Sequence, residues 1–161
     1  MNASTRGWQL LMRGDLDTAM RRFNQAWTLW EENPEALWGM AIISFEHGKL
    51  LSGEEQQLPE ALIQFDQSLE LIREAAGYTS EDAGLLADAA WLHASVGGFR
   101  AHAGEKNGPE LMQRAVDYLH DAQDIDDEHP RIPDVRASID KYCQDMGIPI
   151  PEPSEQQAVQ E

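Results

Sequence analysis

Five histidines, one cysteine and many carboxylates are the groups in this chain that could bind a metal, attack a substrate or move protons. His47, His93, His102, His120 and His129 show no His-Glu-x-x-His pairing, so a zinc site would need ligands from separate helices. Solitary helical histidines are more often surface or packing residues, and a packing role suits His93. Cys143 stands alone, which excludes an internal disulfide and any multi-cysteine metal site. Asp140 and Asp145 beside it in sequence raise a thiol pKa rather than lower it, so this thiol reads as inert. Asp124-Ile-Asp126-Asp127-Glu128-His129 has the acid density of a calcium loop but no central glycine, and Pro130 interrupts the frame. Gly104-Glu-Lys-Asn-Gly108-Pro lacks the Gly-Lys-Ser/Thr ending that grips phosphate, and no serine stands in a Gly-x-Ser-x-Gly turn. Carboxylate pairs are too numerous to single out one for glycoside chemistry. The expectation is a protein that is not an enzyme and needs no metal or cofactor.

Charge narrows the partners. Twelve Lys and Arg against 29 Asp and Glu give −17 over 161 residues. That balance disfavours nucleic acid, which demands a basic surface, and docking on anionic lipid. A basic or weakly charged partner suits it better. No run reaches the roughly 18 apolar residues of a membrane span, so no membrane insertion is expected. Met1–Arg6 carries no apolar leader. The chain as given is assigned to the cytoplasm by default, or to the periplasm where a signal peptide has been removed.

Helices must position whatever this chain uses. β-Branched residues are scarce, and no segment keeps a period of two. Breakers predict helices over 4–13, 16–30, 34–48, 59–76, 81–103, 107–124 and 133–147. Asn33 should cap the third ahead of Pro34, and Ser80 should cap the fifth. LLSGEEQQL, residues 50–58, reads as a loop or frayed extension, and the fifth helix runs toward Ala103 unless Gly97-Gly98 bends it or ends it early. One helical domain is expected over 1–147. The proline-rich, acidic tail 148–161 is expected to be disordered.

Every second helix repeats a small–large–small rhythm: Ala19, Phe23, Ala26; then Ala61, Phe65, Ser68; then Ala115, Leu119, Ala122. Spacings of four and three place each set on one stripe, which a helix pair cannot bury alone. With Gly7, Leu10, Leu11 and Gly14-Asp15-Leu16-Asp17, the first set resembles the tetratricopeptide repeat family. Pro34-Glu-Ala-Leu-Trp-Gly-Met-Ala41 and Gly48 extend the resemblance to a second repeat. A weaker third uses Leu86, Ala90, His93 and Gly97, so the likeness covers roughly residues 3–128. The stripes begin at Ala19, Ala61 and Ala115, intervals wider than the about 34 residues of a regular repeat. The resemblance implies an all-α fold: a right-handed α-α superhelix of about three hairpins, closed by the seventh helix as a cap.

The same resemblance implies a concave groove lined by the first helix of each hairpin. Its candidate residues are Trp8, Leu11 and Met12, then Glu35, Trp38, Ile42 and Phe45, then Trp91, with Ser4, Ala87, Ala94 and Ser95 on the same faces. Whether Trp8, Trp38 and Trp91 serve a groove or a core is evenly balanced in the sequence, whereas Trp27 and Trp30 read as interhelical packing. Residues 34–48 hold no Lys or Arg, which argues against gripping an acidic peptide and for an apolar or basic segment. The function expected is a non-catalytic protein-interaction scaffold, monomeric or homodimeric. The alternatives are a secretion-type chaperone for an exported client and a self-associating structural unit.

Overall fold

The computed structural model describes residues 2–154, and among them there is no strand. The helices are α1 (Ala3–Met12), α2 (Leu16–Leu29), α3 (Pro34–Leu51), α4 (Leu58–Tyr78), α5 (Ala83–His102), α6 (Gly108–Ile125) and α7 (Ile132–Met146), with a 3₁₀ turn at Glu55–Gln57. Local chemistry starts them. Asn2, Asp15, Asn33 and Asp82 each accept a hydrogen bond from the backbone N–H three residues on, at 2.8, 3.2, 3.2 and 3.0 Å. Each satisfies a donor that the first helical turn leaves open. The cap of α5 is therefore Asp82 and not Ser80. Proline occupies the first turn of α3, α4, α6 and α7, where its missing N–H costs nothing. Gly147 closes α7 at φ 66°.

One expected end is corrected. α3 continues past Gly48 to Leu51, because Gly48 is where Phe65 rests: a Cβ there would stand 2.6 Å from the Phe65 ring. α5 runs unbroken through Gly97-Gly98, since these glycines serve packing. The chain divides into two compact units, up to Glu81 and from Asp82 onward.

In the first unit, α1 and α2 form one hairpin and α3 and α4 the next, and α3 packs on both α1 and α2. Phe23 of α2 joins them. A Cβ on Gly7 would meet its ring at 2.8 Å and one on Gly39 at 2.2 Å, so the ring fills notches in α1 and α3 together. Phe65 does the same for α3 and α4 at Gly48. Ala19, Phe23, Ala61, Phe65 and Ser68 have no exposed surface, and full burial of each phenylalanine contributes roughly 2–3 kcal/mol. Ser68 Oγ donates to the Ala41 carbonyl at 2.8 Å, which satisfies the one hydroxyl in the stripe.

In the second unit α5 packs against both α6 and α7. Gly97 and Gly108 let the backbones of α5 and α6 nearly touch: a Cβ on either would lie within 3.2 Å of the other's carbonyl oxygen. Ala115, Leu119 and Ala122 are buried, as are Val135, Ile139 and Cys143 of α7 at intervals of four. The segment after Gly147 is held down. Gln113 Nε2 donates to the Glu152 carbonyl at 2.7 Å, and Ser154 donates its N–H and its hydroxyl to Asp117 at 2.7 and 2.9 Å. Residues 148–154 thus form a strap tied to α6 through Glu152 and Ser154. Residues 155–161 of the expected tail lie outside the described residues.

Candidate functional site

In the first unit the best-formed aromatic surface arises where α1 meets α3. The Trp8 ring meets Phe23 edge-on at 5.2 Å and Trp38 edge-on at 5.0 Å, the T-shaped arrangement that the ring quadrupoles favour. Both indoles are half-buried. Phe23 beneath them is sealed, so the buried knob that joins the hairpins also supports the exposed pair. Asn33 ties the same corner: its Oδ1 caps α3 and its Nδ2 donates to Ser4 Oγ of α1 at 3.2 Å.

Around this pair the expected residues divide. Leu11 and Ile42 are half-buried, Met12 is 86% exposed and Glu35 is exposed. Ser4 is buried beneath Asn33. Phe45 is corrected: it is 1% exposed, because the extended second half of α3 lies against α4 and the Phe65 ring covers it at 5.4 Å. Phe45 is core.

Trp91 belongs to the second unit. It is half-buried on α5, and the Arg131 guanidinium lies 5.7 Å from its ring centre. Asp88 Oδ1 accepts from both Nε and Nη2 of Arg131, at 3.0 and 2.7 Å, fixing that cation over the indole. Ala87, Ala94 and Ser95, expected on the same open face, are buried. α5 is apolar nearly all round, so its sequence has no clear outer face to read.

Trp30 is corrected in the opposite direction. Expected to pack between helices, it is 57% exposed, next to Leu29 at 78%. Trp27, 36% exposed, lines a groove of about 250 Å³ with Met20, Leu37, Met40 and Leu71. The sequence signal for this groove was Met20 and Trp27, seven residues apart on one face of α2.

His93 is fully buried, with Nδ1 2.8 Å from the Ala89 carbonyl and its ring 5.1 Å from that of Tyr118. It is a packing residue. Cys143 is 1% exposed, and burial, reinforced by Asp140, pushes its thiol pKa up, away from the nucleophilic thiolate. Among the described residues no group of three or more His, Cys, Asp and Glu is placed to hold a metal ion, and no helix is long and apolar enough to cross a membrane. The acidic run after α6 forms a turn in which Asp126 accepts from the Glu128 N–H at 3.2 Å. The sequence matches no protein-family model and no curated protein.

Proposed function

We propose that this chain is a non-catalytic interaction module built from tetratricopeptide-like hairpins, and that its first unit holds an apolar or amphipathic segment of a partner protein against Trp8 and Trp38. The observation that carries this reading is the edge-to-face indole pair, contributed by α1 and α3 and left half-buried above a sealed Phe23. Rigid aromatic side chains on a firm support lose little entropy when a partner covers them, and such residues dominate interface energies. Glu35 flanks the pair without an ion-pair partner among the described residues, so a basic residue beside the partner's apolar anchor complements it. The small–large–small stripe, buried on α2, α4 and α6, supports the family reading.

The test compares capture of binding partners by the unaltered chain and by Trp38→Ala, followed by titration of the retained segment. Trp38→Ala should weaken binding by about 2 kcal/mol or more with helical circular dichroism unchanged. Loss of helicity with no separate binding defect would make Trp38 a structural residue and remove the proposal. Exposed Leu29 and Trp30 favour a second reading, self-association through the end of α2. Light scattering over a dilution series separates the two, because a dimer that dissociates in Trp30→Asp supports only the second.

A further inference from the structure

The second unit has a cleft of about 760 Å³ where the last turns of α5 and α7 meet the turn before α6, two helical turns along α5 from Trp91. Its apolar lining includes Phe99, Tyr142, Met146 and Ile148. The Tyr142 ring lies directly on the α5 backbone: a Cβ at Gly98 would stand 2.4 Å from it. That wall is therefore fixed by packing, and the volume falls within the roughly 300–1,000 Å³ of small-molecule sites.

Charge at the rim selects the ligand. The two acids lining the cleft are already engaged, Glu105 by Arg100 and Asp145 by Lys141 at 3.0 Å. The two basic side chains lining it, His102 and Lys106, have no ion-pair partner among the described residues. In a chain of net charge −17, this cleft pairs an apolar lining with basic groups that no described acid pairs with. An amphiphile of the opposite polarity, an apolar body ending in one negative charge, fits both features.

We propose that this cleft binds a small amphiphilic monocarboxylate, its apolar body on Tyr142, Met146 and Ile148 and its carboxylate toward Lys106 and His102. The site rests on the second unit alone and does not depend on the indole pair. Calorimetric titration of the full chain with octanoate, 1-octanol and octylammonium tests it, since the three share a body and differ in head group. Octanoate should bind one to one, octanol more weakly and octylammonium not at all, with octanoate-induced NMR shifts at Tyr142 and the Met146 methyl. Lys106→Glu, an exposed turn substitution that leaves the helices intact, should weaken octanoate by about tenfold or more, and His102→Gln should weaken it several-fold. Equal affinity for octanoate and octanol, no octanoate binding, shifts confined to α1 and α3, or an unchanged affinity in Lys106→Glu would each overturn the proposal. So would a short apolar peptide with a free C-terminal carboxylate that binds far more tightly than octanoate, since the ligand would then be a chain end.

Discussion

At Gly39 the nearest atom an added Cβ would meet is Cζ of Phe23, 2.2 Å away. An alanine there gains up to about 1 kcal/mol of helix propensity, but it must push an unexposed ring out of a notch shared with Gly7. Overpacking of this kind costs about 1–3 kcal/mol, so Gly39→Ala should destabilise the chain in urea denaturation, and Phe23→Leu should recover part of the loss in the double variant. A stabilising Gly39→Ala would refute the knob-and-notch account. Electrostatics at single residues is weaker but has a definite sign. Burial raises the pKa of Asp121, with Asp117 and Asp124 adding to the rise and His120 opposing it. A raised carboxyl pKa means that the folded chain holds this proton more tightly than the unfolded chain. The favourable contribution is therefore complete below the ordinary Asp value of about 3.9 and is lost as pH rises through the folded value. Asp121→Asn should melt slightly higher than the parent at pH 7, with the difference vanishing near pH 3; a lower melting temperature at pH 7 would contradict the assignment.

Among the helices, the ends separate purely local signals from those that also serve packing. Asn33 caps α3 and also holds Ser4 of α1, so Asn33→Ala removes two hydrogen bonds and should cost about 1–2 kcal/mol. Asp82→Ala should cost about 1 kcal/mol, because only the α5 cap is lost. Ser80→Ala should change stability by less than about 0.5 kcal/mol, since Asp82 does the capping. Chemical denaturation of the three variants gives that order directly, and a Ser80 effect as large as that of Asp82 would reverse the cap assignment. Length is the other property of the helices with consequences. The 18 residues of α3 bring its second half against α4, with Gly48 under Phe65 and Phe45 covered by the same ring, whereas Trp38 and Ile42 in the first half stay half-buried. α5 uses adjacent glycines differently, Gly97 toward α6 and Gly98 toward Tyr142 of α7.

For the whole molecule the governing quantity is charge. With −17 distributed over 161 residues, repulsion among carboxylates opposes compaction, and salt screens it over about 10 Å at 0.1 M. Raising sodium chloride from low concentration to about 0.5 M should therefore raise the melting temperature, with calorimetry as the measurement. A fall would mean that attractive ion pairs such as Asp88–Arg131 outweigh the repulsion. The two compact units have separate cores, the first assembled around Phe23 and Phe65 and the second around the close approach of α5 and α6.

Helix type, the Asn33 cap and the small–large–small stripes were legible in the sequence because they depend on residues within about four positions of one another. Ala19, Phe23 and Ala26 declare a buried stripe without reference to anything else, and Asn33-Pro34 declares a start. Exposure was not legible in this way. Trp38 and Phe45 stand seven residues apart on one face of α3, yet only Phe45 lies where α4 can cover it. Trp30 looked like a packing residue and is open because α2 ends beside it. The strap from Gln113 and Asp117 to residues 152–154, and the Asp88–Arg131 bond across 43 residues, depend on distant segments meeting. The periodic pattern determined which helices form and which stripe each must bury; only the docking of one helix on another decided which aromatic rings remain within reach of a partner, because burial belongs to pairs of elements and helix formation to one.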